Sequence, residues 1–254
     1  MRTRLVVAGL SLFVVTGVLV AQAPRRHNPL IELLQAKTPV FGLYAPAPPR
    51  APRGGGAAAA TPAAPVVPVV QKTQAELAKD AMAYAHSDFI FTGSMERGIA
   101  GLPAWTEFVT ALGDHGLVER TPGVRLTHAI VAKTPKITDD PAKMTAEWSA
   151  ILNSGVNTLM FVGVESAAEV QRGLTAMRFA ANGGTRPDAV GTAPKVWGLT
   201  EADYKAKADL WPLNPAGELL NWTIVESKEG IAKVREIAAV KGIGVLWPGA
   251  GTLR

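Results

Sequence analysis

The chain has 254 residues, 48% of them hydrophobic, and no cysteine. That length and composition allow a sizeable core in one large or two small domains, and the missing cysteines exclude disulfides, thiolate metal sites and a cysteine nucleophile. The formal charge is +5, but the 26 basic residues are scattered among 21 acidic ones without a long basic run, so nucleic acid is not an expected partner.

The first residues read as a secretory leader. Arg2 and Arg4 form a positive start, Leu5 to Val20 is apolar, and Ala21-Gln22-Ala23 supplies small residues for cleavage before Pro24. The alternative is an uncleaved anchor, since the apolar run approaches the roughly 17 residues a spanning helix needs. Cleavage at 1–23 is the expectation, with a periplasmic or secreted mature protein and no membrane association after it. From 46 to 70 the composition turns to Pro, Ala and Gly, which withhold backbone donors and raise the cost of ordering, so this stretch is expected to be a linker insertion. Gly54 to Gly56 lacks the strand and Lys-Ser/Thr context of a phosphate loop.

Elsewhere, short β-branched runs alternate with segments of helical period, the pattern of βα units around a parallel sheet. Strands are predicted at Val40 to Tyr44, Asp88 to Thr92, His128 to Lys133, Thr158 to Val164, Leu219 to Val225 and Gly244 to Trp247. The helix over Lys72 to Tyr84 places Leu77, Ala78, Ala81 and Met82 on one face, and that over Pro103 to Leu112 places Trp105, Phe108, Val109 and Leu112. Asp140 and Pro141 read as N-cap and first residue of a helix running to about Asn153, with Gly155 near its end. Further helices are predicted over Ser166 to Phe179, Thr200 to Asp209 and Lys228 to Val240. Six βα units around a parallel sheet make the expected class α/β, short of the eight units of a closed barrel.

Three segments resemble the HpcH/HpaI aldolase and citrate lyase family of (β/α)₈ barrels. They are the run Trp197 to Leu220 (WGLTEADYKAKADLWPLNPAGELL) with Ile224 to Gly230 (IVESKEG), then Met160 to Val170 (MFVGVESAAEV), and Asn28-Pro29-Leu30 with Phe41-Gly42-Leu43. The resemblance covers 28–45 and 72–254. It implies an incomplete (β/α)₈ TIM-barrel type, with domains beginning with the barrel's first helix and strand over 24–45 and resuming over 71–254, truncated at its C-terminal side. The implied activity is a carbon–carbon lyase of the aldolase type, which cleaves or condenses a 2-oxo acid such as pyruvate with an aldehyde. The implied cofactor is a divalent metal, Mg²⁺ or Mn²⁺, and the longer parent is expected to be a homo-oligomer. A Lewis acid would stabilise the enolate while a base takes the hydroxyl proton.

Under the resemblance, Glu226 stands at the family's metal glutamate; the alternative is a carboxylate capping the helix that begins near Ser227. Thr252, in the tail Gly249-Ala250-Gly251-Thr252, stands where the family has a second, aspartate metal ligand, and a neutral hydroxyl is a poor replacement for an anionic oxygen. Arg97, in Ser94-Met95-Glu96-Arg97, aligns with the family's catalytic histidine, and a guanidinium stays protonated at neutral pH and cannot serve as base. In this reading Glu226 holds the ion with waters or Glu96, Arg97 or a lysine clamps the substrate carboxylate, and Lys133 or Lys136 is the nearest candidate for the family's arginine after the third strand. Glu165 is a second candidate acid or, alternatively, part of the start of the next helix. His27, His86, His115 and His128 have no metal-ligand spacing and are expected at the surface or in turns. Neither a Gly-x-Ser-x-Gly elbow nor HExxH occurs. The alternative function is a non-catalytic periplasmic relative that binds an oxo acid or sugar acid.

Overall fold

The computed structural model describes residues 25–46 and 71–252. The leader expected at 1–23 and, Pro46 apart, the linker expected at 46–70 lie outside them. In chain order the elements are α1 (Pro29–Gln35), β1 (Gly42–Tyr44), α2 (Gln74–Ala83), β2 (Phe89–Thr92), α3 (Leu102–Asp114), β3 (Val118–Glu119), β4 (Arg125–Leu126), β5 (Ala129–Lys133), α4 (Pro141–Asn153), β6 (Thr158–Phe161), α5 (Ala167–Met177), α6 (Ala193–Trp197), α7 (Glu201–Lys207), β7 (Leu210–Trp211), β8 (Leu219–Val225), α8 (Lys228–Ala232), α9 (Val234–Ala238) and β9 (Val245–Pro248).

Every strand of the main sheet is parallel to its neighbours. The order runs β1, β2, β5, β6, β8, and the far edge of β8 pairs first with β7 at Leu219 and Leu220, then with β9 over Trp222 to Val225. All six predicted strands are present at their predicted places. Among the described residues no pairing joins β1 to β9, so the curled sheet is an incomplete (β/α)₈ barrel. A separate antiparallel pair, β3 with β4, interrupts the βα alternation.

Side-chain alternation sorts each strand into an outer and an inner face. Ile90, Ile130, Leu159, Phe161 and Val225 point outward, where the helices cover them with Trp105, Phe108, Val109, Leu112, Trp148 and Leu174. The predicted faces of α2 and α3 are those buried, Met82 only partly. Phe89, Val131, Met160, Leu220, Trp222 and Ile224 point inward. Burying side chains of this size stabilises the fold by roughly 1.5–3 kcal/mol each.

The helix starts follow their sequence signals. Asp140 accepts a bond from the Lys143 amide, Thr73 and Glu76 make a reciprocal capping box, and Ser166, Thr200 and Ser227 each cap a first turn. At the end of α4, Gly155 has φ of +107°, a conformation that an added Cβ would strain, next to the Ser154 C-cap.

Two expectations need correction. The single helix over Lys228 to Val240 is two short ones: the break is at Lys233, whose φ and ψ of −107° and 12° leave the helical region while its amide turns to the carbonyls of Glu229, Gly230 and Ile231. And His27 is no surface histidine. It is 2% exposed, stacked on Trp197 at 4.9 Å, with Nδ1 donating to the Val124 carbonyl at 3.1 Å.

That burial belongs to the plug at the sheet's amino end. Asn28 caps α1, its backbone amide donates to Glu218 Oε2 at 3.0 Å, and its side-chain amide reaches the Glu218 carbonyl at 3.2 Å. Leu30 and Ile31 then pack against the inner face. Arg26 donates to the carbonyls of Pro215 and Gly217 and pairs with Glu218, so the amino end of the half-barrel is sealed.

Candidate functional site

The carboxyl ends of the strands lie on the opposite side, and among the described residues the helix packed with the inner face is α1, at the amino end. Lys133 is the last residue of β5, Glu226 follows β8, Gly93 to Arg97 follow β2, Gly163 to Glu165 follow β6, and Gly249 to Thr252 follow β9. In a parallel barrel this end collects the chemistry, because residues distant in sequence converge there on loops that stability does not constrain.

A cleft of about 460 Å³ opens at this face, lined by Lys133, Glu226, Thr252 and Gly249 to Gly251, with Phe91, Met160, Ile224 and Trp247 as apolar walls. It continues toward the amino end as an apolar space of about 420 Å³ that shares Phe91, Met160 and Trp247 and is bounded by Val40, Phe89 and Trp222. Trp222 and Trp247 lie against one another, with ring centroids 5.2 Å apart.

Glu226 is held from two sides. Its Oε1 accepts the Gly163 amide at 2.8 Å, and its Oε2 accepts the Thr252 hydroxyl at 2.7 Å. Gly163 has φ of +57°, which turns its amide inward, so this contact requires a residue at ease in the left-handed region. Glu226 is therefore not the cap of the following helix: Ser227 fills that role through the Gly230 amide at 3.0 Å. Gly249 backs directly onto Glu226, where an added Cβ would sit 2.5 Å from the Glu226 Cβ.

Lys133 lines the cleft, and its ammonium pairs with Glu96 Oε2 at 3.1 Å. Glu96 itself does not line the cleft. Lys136 pairs with Glu165 at 3.6 Å, and its stem runs beside Gly163. Glu165 precedes the cap of α5, which is Ser166. Arg97 is exposed and does not line the cleft. Of the seven residues singled out from sequence, the fold thus brings Lys133, Glu226 and Thr252 to one cleft and leaves Glu96, Arg97, Lys136 and Glu165 out of its lining. Sequence reasoning passed over Gly163, whose amide orients Glu226; the glycine directly after a strand, in MFVGVES, was the available signal.

The donor set decides how a divalent ion would fit. Among the described residues no three His, Cys, Asp or Glu side chains come together to hold one. The face offers one carboxylate free of a lysine, Glu226, beside a neutral hydroxyl, while a hard ion takes several oxygen ligands. The described residues do not by themselves make up the ligand set of a divalent ion.

No protein-family model matches the chain, and no curated protein matches it. Solved structures do. The chain is similar to a HpcH/HpaI aldolase/citrate lyase family protein from Burkholderia cenocepacia J2315, with a TM-score of 0.60 and 18% identity over 89% of this chain and 70% of that one. It is similar to citrate synthase SbnG, with a TM-score of 0.54 and 12% identity over 89% and 66%, and to the HpcH/HpaI aldolase from Desulfitobacterium hafniense DCB-2, with a TM-score of 0.51 and 14% identity over 70% and 59%. The chain spans between 59% and 70% of the length of these structures. The fold is that of the HpcH/HpaI aldolase and citrate lyase structures, as the motifs at Trp197 to Leu220 and Met160 to Val170 implied.

Proposed function

We propose that this protein is a carbon–carbon lyase of the aldolase type acting on a small 2-oxo acid. The observation that carries the reading is the convergence of Lys133 and Glu226, from strands β5 and β8, on one cleft with apolar walls at the carboxyl end of the sheet. The likeness of the fold to aldolase and citrate lyase structures supports it.

In this reading the substrate carboxylate and oxo group lie toward the Lys133 ammonium. Glu226, fixed by two hydrogen bonds and with lone pairs to spare, takes the proton from the substrate hydroxyl. The adjacent carbon–carbon bond breaks, its electrons move to the oxo oxygen as an enolate, and an aldehyde leaves. The positive charge of Lys133 stabilises that developing negative oxygen. The enolate carbon then regains a proton, giving the shorter 2-oxo acid. Export belongs to the same proposal, with the mature chain starting at Pro24, which mass analysis of secreted protein checks.

The test is a cleavage assay with a 4-hydroxy-2-oxo acid, following release of pyruvate. Glu226→Gln is expected to lower kcat by about 10² or more, the usual weight of a general base. Turnover unchanged in Glu226→Gln would overturn the assignment. One observation favours the second reading, a binding protein without turnover: Arg97 stands in place of the family's histidine and outside the cleft. Oxo-acid binding with no cleavage in the wild type would establish that reading.

A further inference from the structure

The charges on the carboxyl face are arranged in an order that the oxo-acid reading does not by itself require. Glu226 accepts the Gly163 amide on one oxygen and the Thr252 hydroxyl on the other. The two other carboxylates there are each turned to a lysine, Glu96 to Lys133 at 3.1 Å and Glu165 to Lys136 at 3.6 Å. A divalent ion at Glu226 would have the Gly163 amide donor beside it, and Lys136, whose Cε would lie 3.6 Å from a Cβ added at Gly163, as a neighbouring positive charge. A hard cation would find one anionic ligand and several positive dipoles and charges. An anion would find the reverse. Lys133 lines the cleft, and its ammonium is paired with Glu96, which does not line it.

We propose that the cleft takes its small carboxylate ligand directly on the Lys133 ammonium, without a divalent ion, and that Glu96 is the positioning residue for that lysine. The inference rests on the reading of the cleft as an oxo-acid site, but concerns how the acid is held and not whether it is cleaved. Thr252 is central to it. Its hydroxyl satisfies Glu226 with a hydrogen bond where a second carboxylate would instead create a pair of anions in need of a cation.

Calorimetry on the full chain tests this with pyruvate and with oxaloacetate, each in EDTA and again in excess Mg²⁺ or Mn²⁺. The affinities are expected to agree between the two conditions. Lys133→Gln should weaken binding by about tenfold or more, with its melting temperature close to wild type. Glu96→Gln should weaken it less and make it more sensitive to salt, as the lysine loses its anchor. Thr252→Asp, which sets a carboxylate against Glu226, should gain Mn²⁺ binding that the wild type lacks, read from the ion's magnetic resonance signal. Binding of either acid only in the presence of metal would overturn the proposal, as would Mn²⁺ uptake by the wild type that Glu226→Gln abolishes. Binding of neither acid under any condition would overturn it as well. A metal-independent affinity with no cleavage leaves this inference standing and removes the lyase reading, so the two fail separately.

Discussion

The two ends of the sheet are built in opposite ways. At the amino end, Arg26, His27, Asn28 and Glu218 are buried or nearly so and bonded to backbone from distant segments, and Leu30 and Ile31 drive α1 into the inner face. At the carboxyl end, Glu96, Lys133, Glu226 and Thr252 are half-buried or exposed and are bonded mostly to one another or to loop backbone. The first arrangement is a seal, the second a mouth. The comparison teaches that polar groups in this fold do different work by location: buried polar groups at one end are bound up in holding chain segments together, whereas those at the other keep charge accessible to a ligand.

The largest effect that would break the comparison is at the seal. Trp197 is fully buried, donates through Nε1 to the Gly155 carbonyl at 2.9 Å, and packs on His27 and Tyr204. Trp197→Ala is expected to cost about 3–5 kcal/mol in denaturant unfolding, as large aromatic truncations do. A loss as large from Lys133→Gln would show that the mouth, too, is structural.

Acid sharpens the same contrast. Burial pushes His27 down to about 4, assisted by Lys207 and Arg125 and opposed by the Val124 carbonyl, so in the fold it stays neutral where an unfolded histidine gains a proton. The unfolded chain therefore binds more protons between pH 6.5 and 4. Stability from His27 is complete above about 6.5 and is lost as pH falls toward 4, an amount on the order of 3 kcal/mol. Glu218 works in the other direction: burial pushes its carboxyl up, so its contribution is greatest in acid and is lost as pH rises through its folded value. His27→Gln is expected to flatten the fall in unfolding free energy between pH 6.5 and 4. An unchanged slope would mean that the acid sensitivity comes from another group.

The smallest stability effect is expected at the mouth. Glu96→Gln removes a half-exposed ion pair, and the cost in unfolding free energy should be no more than about 1 kcal/mol. A markedly larger loss would place Glu96 with the seal.

The βα order was legible along the chain because apolar runs of strand length and faces of helical period are local properties: the faces of α2 and α3 and the cap at Asp140 could be written down from spacing alone. The motifs around Glu226 and Met160 likewise pointed to the carboxyl end. What local pattern could not carry was the meeting of segments far apart in sequence. The break at Lys233 and the β3–β4 pair leave no periodic signal, and the burial of His27 depends on Val124 and Trp197, about 100 and 170 residues further along. In the same way, Lys133, Glu226 and Thr252 each announced a candidate, but only the parallel register of β5, β6, β8 and β9 decided which of them share a cleft. Residue type determined what charge each group can carry. The tertiary structure decided which charges face each other, because Coulomb and hydrogen-bond energies depend on distances that the folded sheet alone sets.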